Sequence, residues 1–569
     1  MKKNGKLFSI FLYLIVSATL MLFIGSCKTS KIISSKKATQ NISIDLSIQS
    51  QVIKNIFSDV NVWDFRTDWL NKANDLPRNY FSTNYPFLKT IQFMTATGGN
   101  GERDLFVDPE NRSDLTDYKF NDLITALHNV VKYGLKPMII TGNVPLKYSI
   151  NPVKGVFGVN VRPPFNYDKY YNYIKALADT LVSEFGINEV KTWSWGVLTE
   201  YENKDWFLAA DSTPVSTKIA YFKLYDYTVA ALQSSIGADN LIVGAHSMTV
   251  TPGHWDELDF IDHVSKSVNF KTGTLGTQIN FLSASYYDRS PGVAIEHSLT
   301  LRNTIGKLRG RAVTDGLKDL KYGIDEGRIW GGPAADNRAL LSRIIALSFQ
   351  GASDARMFKI MTDMDADWFS TWGFTTQGIW GGVPSVSAHI AALANKMAGE
   401  KRVSLIVSGK AKDSTNEING VCSINTDSQV VHLMVYNYNN NMNVVSSETP
   451  AIVINNISQT SGAKVSIEKW TVDDTHGNFW PTWWSDQKAR GLSNKSFAWS
   501  KYSLNVPENL VNKSDRDYWY SRESTYKSLA TMHPVTITRK IIANRLVLTP
   551  VLSHHGVVFF EIRNVTVAK

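Results

Sequence analysis

Strand-like and helical segments alternate from about residue 51 to 400, which predicts a (β/α)8 barrel. Short alternating apolar runs after residue 401 predict a C-terminal antiparallel β-sandwich. About eight strand–helix units in some 350 residues favour a closed barrel over an open sheet. Two glutamates, Glu200 and Glu326, each end a strand-like apolar run, and they stand 126 residues apart, the spacing of strands 4 and 7 in such a barrel. No Gly-rich phosphate fingerprint follows an early strand, which counts against a nucleotide-binding sheet.

The elements follow in order. Residues 89–94 read as a strand, and 120–133 carry apolar residues at helical spacing, with Gly134 as a C-cap. Strand 136–141 precedes an amphipathic helix over 170–185 that Gly186 closes. Strand 190–198, helix 215–235 and strand 240–245 come next, then strands 279–283 and 321–325. Helix 337–348 and strand 355–360 complete the predicted barrel. Beyond it, residues 430–436, 451–454, 464–470, 535–542, 546–552 and 556–562 read as short strands separated by Asn, Gly and Ser clusters. Residues 42–48 alternate strictly and can add a strand to the sandwich. The predicted organisation is therefore a leader over 1–27, a tether and possible first sandwich strand over 28–50, the barrel over 51–400 and the sandwich over 401–569.

The 569-residue chain can bury a sizeable core, and its 43% hydrophobic and 20% charged residues are ordinary for globular protein. The net charge of +9 does not point to a polyanionic partner. Lys2, Lys3, Lys6, Lys28, Lys31, Lys36 and Lys37 lie in the first forty residues without an acid, which leaves +2 for the rest. No nucleic-acid partner is expected. Lys2, Lys3 and Lys6 followed by the apolar stretch 7–24 form a targeting segment. Ile24, Gly25, Ser26 and Cys27 resemble a bacterial lipobox. That resemblance implies lipidation of Cys27 and an exported chain anchored in the bacterial cell envelope, at the outer membrane or cell surface; an uncleaved membrane anchor is the alternative. Residues 28–40 then form a flexible tether. With Cys27 lipidated, Cys422 has no disulfide partner, and two cysteines exclude a thiolate zinc cluster.

Carboxylates at the C-terminal ends of barrel strands share the face where this architecture places its chemistry. A pair of them suits glycosidic bond cleavage, one as acid and the other as nucleophile or base. By spacing alone, each could equally be a surface acid. Trp193, Trp195, Trp206 and Trp330 flank the pair and offer apolar faces to a sugar ring, although most of the sixteen Trp are expected in the core. Tyr286 and Tyr287 end the sixth strand, where a hydroxyl could hydrogen-bond the nucleophile and hold its pKa low. Glu202 falls past the strand end, and alternation turns Asp325 toward the helices. No histidine pair has zinc-ligand spacing on a helix, and there is no G-x-S-x-G elbow, so neither metal nor cofactor is expected.

Several segments in order resemble glycoside hydrolase family 39, the β-xylosidase and α-L-iduronidase family. They are 118–122 through Met138, then 163–168, 184–190 and 193–200, then Trp372, Gly378 and 384–392, and finally 470–474 with His476, Asn478 and Trp483. The resemblance implies that Glu200 is the acid/base and Glu326 the nucleophile of a retaining double displacement. It also implies a carbohydrate substrate met by Thr199, Trp195, Trp206, Tyr287, Gln92 and Trp330. The chain departs from the family pattern where Thr199 and Tyr201 replace Asn and Pro around the acid/base, Gln92 replaces Arg and Ser285 replaces His. These departures imply retained hydrolysis with an altered sugar preference. They also leave room for a non-catalytic surface glycan-binding lipoprotein on the same fold, or for a purely structural envelope lipoprotein.

Overall fold

The computed structural model describes residues 40–62, 86–101, 104–249, 253–289, 300–327, 330–331, 348–370, 379–380, 383–490 and 513–568. The leader, Cys27 and most of the predicted helix 337–348 lie outside the described residues.

Eight strands form one parallel sheet in sequence order: β2 Asp59–Val62, β3 Thr90–Phe93, β4 Lys136–Thr141, β5 Ser194–Val197, β6 Ile242–Met248, β7 Phe281–Ser285, β8 Lys321–Glu326 and β9 Trp368–Phe369. The amide of Phe369 in β9 donates to the Ile56 carbonyl just before β2 at 2.7 Å, and Asn61 Nδ2 of β2 donates to the Asp325 carbonyl of β8 at 2.9 Å. The first and last strands are thus tied, and the sheet is a nearly closed (β/α)8, or TIM, barrel.

Three of the crossover helices start at side-chain caps. In α1 Asn121–Lys132 the buried Leu123, Ala126, Leu127 and Val130 form one stripe. Asn166 caps α2 Tyr167–Phe185 by accepting the Lys169 amide, and Gly186 ends it at φ 79°, a conformation that favours a residue without Cβ. Thr213 caps α3 Pro214–Ile236, with proline in the first turn where its missing N–H costs nothing. Helices α4 Asp259–Lys266, α5 Leu301–Thr314, α6 Ser348–Asp363 and α7 Val386–Met397 also belong to the outer ring among the described residues.

Helix α6 corrects the expectation of a strand at 355–360. Ala355, Met357 and Phe358 are buried, whereas Arg356 and Lys359 face charged partners: Arg356 Nε binds Glu417 at 2.7 Å and Lys359 binds Asp363 at 2.7 Å across one turn. A short apolar run with half-buried charges has no distinct period, so helix and strand are indistinguishable in it. The eighth barrel strand is the two-residue β9 instead.

Nine further strands join one sheet. They are β1 Asn41–Val52, β10 Lys401–Ser408, β11 Glu417–Asn425, β12 Val430–Tyr438, β13 Ala451–Asn455, β14 Lys464–Val472, β15 Val535–Lys540, β16 Leu546–Leu548 and β17 Val557–Arg563. Their order is β15-β14-β17-β12-β11-β10-β1-β13-β16, antiparallel except for β1 beside β13. Ile42, Ile44, Cys422, Leu433, Ile454, Ile467, Leu548 and Phe560, drawn from seven of these strands, share a single apolar core. The N-terminal strand β1 therefore belongs to the C-terminal sheet. Between sheet and barrel, His432 lies 2.9 Å from Glu400 and 3.3 Å from Glu561, and Lys396 of α7 binds Glu561 at 3.0 Å. Cys422 is a free, buried cysteine.

Candidate active site

Glu200 follows the fourth barrel strand, β5, and Glu326 ends the seventh, β8, so both stand at the C-terminal mouth. The chain reaches Glu200 through unusual backbone. Leu198 and Glu200 have φ of 57° and 43°, in the left-handed region that non-glycine residues seldom adopt. Leu198 N donates to Thr141 O at 2.8 Å and Glu200 N to Ser247 O at 2.6 Å, which hold this turn between the neighbouring strands β4 and β6. Gly142 makes the approach possible, since a Cβ there would stand 2.9 Å from both the amide and Cβ of Leu198. Strain of this kind persists where the surroundings over-determine it.

Both carboxyl groups are nearly sealed, Glu200 at 9% and Glu326 at 4% exposure. Glu200 Oε2 accepts from Asn203 Nδ2 at 2.9 Å and from Trp206 Nε1 at 3.1 Å. Glu326 Oε2 accepts from the Tyr287 hydroxyl at 2.5 Å, and its Oε1 lies 3.2 Å from Thr199 Oγ1. Burial raises Glu200 above the ordinary carboxylate range, against hydrogen bonds from Asn203, Ser285 and Trp206. Burial raises Glu326 well above that range, and the charge of Glu200 pushes it further. The pair therefore resists double ionisation, and its proton belongs to the two groups jointly. The Tyr287 hydroxyl favours the charged form of Glu326, and Asn203 and Trp206 do the same for Glu200. One proton on Glu200 and a charge on Glu326 is the distribution that acid-plus-nucleophile chemistry requires.

The other predicted contacts divide sharply. Thr199 and Tyr287 touch Glu326, and Trp206 touches Glu200 while stacking on Phe157 at 4.6 Å between ring centroids. Trp195 is fully buried and belongs to the large apolar core. Its neighbour Gly196 faces the barrel interior, where an added Cβ would meet Ile140 and His246, so alternation points Trp195 at the helices. Trp193 is also core, its Nε1 bonded to Glu189 at 2.9 Å. Gln92 is fully buried below the carboxylates, where its Nε2 donates to Asp325 at 3.0 Å and Asp59 at 3.3 Å. The backbone of Trp330 pairs in parallel with Asp288 beside the mouth, and its side chain lies outside the described residues.

Asp325 corrects the alternation argument. The β7–β8 register runs Ala284 to Ile324 and then Ser285 to Glu326, so Asp325 is the extra residue of a bulge. Consecutive acids then both face inward. Asp325 is fully buried in the barrel and accepts from Trp368 Nε1 at 2.6 Å, from Gln92 and from Ser283 Oγ. Glu202 is buried as well, with Oε1 accepting the Thr249 amide at 2.6 Å, and burial raises it well above the carboxylate range.

Sequence reasoning missed Asn203 and His246. Asn203 lies three residues past Glu200, a spacing at which a short turn brings an amide back to the carboxyl. His246 and Ser247 interrupt an otherwise apolar strand, and that polar pair is the signal His246 offers in the sequence. Among the described residues no group of three or more His, Cys, Asp or Glu is arranged to hold a metal ion. No described helix is long and apolar enough to cross a membrane.

Residues 106–320 match the family model described as Glycosyl hydrolases family 39. A beta-xylosidase of Caldicellulosiruptor saccharolyticus is 31% identical over 132 residues, 23% of this chain and 26% of that protein. A beta-xylosidase of Geobacillus stearothermophilus is 29% identical over 119 residues, 21% and 22% of the respective chains. The matched part spans about a quarter of the first of these curated relatives. Among solved structures, a monomeric beta-xylosidase from Caulobacter crescentus CB15 superposes with a TM-score of 0.63 at 14% identity, over 92% of this chain and 99% of that one. The GH39 enzyme from Xanthomonas axonopodis pv. citri gives 0.66 at 12% identity, over 92% and 97%. At such identities these structures speak for the fold.

Proposed function

The chain is glycosyl hydrolases family 39-like, and from that premise we propose that it is a retaining glycoside hydrolase acting by double displacement on an oligosaccharide or polysaccharide. The observation that carries this reading is the placement of Glu200 and Glu326, two buried carboxyl groups at the C-terminal ends of barrel strands 4 and 7. In the first step Glu326 attacks the anomeric carbon. The bond to the leaving oxygen breaks, and Glu200 gives that oxygen its proton. In the second step Glu200 takes a proton from water, the water oxygen attacks the same carbon, and the bond to Glu326 breaks, which restores both groups. The raised pKa of Glu200 suits a group that must arrive protonated, and Tyr287 supports the charge on Glu326.

The nine-stranded sheet supports a sandwich reading, since its strands enclose one core. The sequence of residues 1–27 supports export and lipid anchoring through Cys27 at the bacterial envelope. Membrane fractionation of wild type and Cys27→Ala tests the anchor, which fails if both fractionate alike.

Kinetics on aryl glycosides test the chemistry. Glu200→Gln should lose about 10²–10⁴-fold in turnover, most with poor leaving groups. Glu326→Gln should lose turnover with every leaving group. Near-normal rates in either variant would remove the assigned roles. Replacement of the family's Arg, His and Asn by Gln92, Ser285 and Thr199 favours a second reading, a glycan-binding lipoprotein without catalysis. Saturable sugar binding with no product from any glycan would support that one.

A further inference from the structure

Below the carboxylates lies a closed polar layer that the two displacement steps leave unused. His246 is fully buried there. Its Nε2 faces two acceptors, Gln92 Oε1 at 3.2 Å and Asp325 Oδ2 at 3.3 Å. The Gln92 amide cannot be reversed without loss, because its Nε2 already donates to Asp325 Oδ1 and Asp59 Oδ2. Nε2 of His246 therefore carries a proton.

The other ring nitrogen, Nδ1, lies 2.8 Å from Thr199 Oγ1, and that same hydroxyl lies 3.2 Å from Glu326 Oε1. The hydroxyl has one proton for two acceptors. With Nδ1 bare, the shorter contact wins: Thr199 donates to the imidazole, and Glu326 keeps the Tyr287 bond alone. With Nδ1 protonated, the imidazole donates to Thr199, whose own proton turns to Glu326.

We propose that His246 is a positioning residue that sets the direction of the Thr199 hydroxyl, and so decides whether Glu326 holds one hydroxyl hydrogen bond or two. The proposal rests on the reading of Glu326 as nucleophile. The titratable groups facing this network are Asp325 directly, Asp59 through Gln92, and Glu326 through Thr199, with Glu200 beyond. Burial lowers the His246 pKa while the charge of Asp325 opposes that shift, and burial pushes Asp59 up to about 7. A neutral imidazole then leaves the nucleophile less hydrogen-bonded and more reactive. Protonation of His246 on acidification adds a donor to Glu326 and damps it. Charge on Glu326 and the proton on His246 favour each other by the same factor in both directions.

The test compares His246→Phe, Thr199→Val and the double variant through the pH dependence of kcat/KM on an aryl glycoside. Removing the imidazole frees the Thr199 proton for Glu326, so His246→Phe should move the acidic limb down by about one pH unit. In the Thr199→Val background the same substitution should move nothing. An upward shift, or an equal shift in both backgrounds, would overturn the proposal. Imidazole ¹⁵N NMR of the wild-type chain needs no turnover, and so separates this proposal from failure of the hydrolase reading. It should show the proton on Nε2 near neutral pH and a changed Nδ1 signal in Thr199→Val. A bare Nε2, or an Nδ1 signal indifferent to that substitution, would refute it even if His246→Phe does not fold.

Discussion

Tyr287→Phe removes one oxygen atom from the site and leaves its packing space filled. The lost bond is 2.5 Å long, runs from a phenol to Glu326 Oε2 and is shielded from water by a carboxyl group only 4% exposed. A hydrogen bond to a charged group carries about 1.5–3 kcal/mol, which corresponds to about one to two pH units in the acceptor's pKa. The direction follows from which form is stabilised. The phenol favours ionised Glu326, so its removal raises the pKa, and the acidic limb of kcat/KM should move up by that amount. Thermal unfolding of the variant checks that the fold survives. An acidic limb that stays in place in a folded Tyr287→Phe protein would refute the role of this hydroxyl and weaken the assignment of Glu326.

Glu326→Gln should stabilise the folded chain increasingly as pH rises. The raised native pKa values of Glu200 and Glu326 mean that the pair keeps a proton in the folded state that the unfolded chain releases near 4.5, so native stability falls as pH climbs through the raised range, and Glu326→Gln removes the mutual repulsion from that loss. Denaturant midpoints of variant and wild type should agree near pH 4 and separate near pH 8 in favour of the variant; a constant gap would contradict the shift. Lys147→Met should cost about 1.5–3 kcal/mol by equilibrium unfolding, because it takes the charged hydrogen-bond donor from the half-buried Asp117. Lys147 is fully buried, with Nζ 2.5 Å from Asp117 and 4.1 Å from the centre of the Phe106 ring. Adding Asp117→Asn should recover part of the loss, and a neutral Lys147→Met would show that the pair contributes nothing.

The barrel was legible because its strands are short apolar runs between capped helices. Asn166, Thr213 and Gly186 mark helix ends by side-chain and backbone chemistry that does not depend on tertiary context. Helix α6 was not legible, since Arg356 meets Glu417 only after folding and its charge blurs the local apolar period. The two glutamates could be read from their position at strand ends. Asp325 could not, because a bulge is a property of the pairing between β7 and β8 and leaves no mark on one strand. Trp195 failed for a related reason. Both faces of a barrel strand are buried, so composition does not tell the axis side from the helix side. His246 gains its meaning from Thr199 and Asp325, which lie 47 and 79 positions away in the chain.

The central claim is that Glu326 becomes covalently bonded to the sugar. Incubation with 2-deoxy-2-fluoro glycosides bearing good leaving groups slows the second displacement and should trap that ester. Mass spectrometry of the digested protein should then place one glycosyl unit on the peptide that contains Glu326, and Glu326→Gln should take up none. A label on Glu200, a label on any other residue, or turnover of the fluorosugars with inverted anomeric configuration would contradict the account.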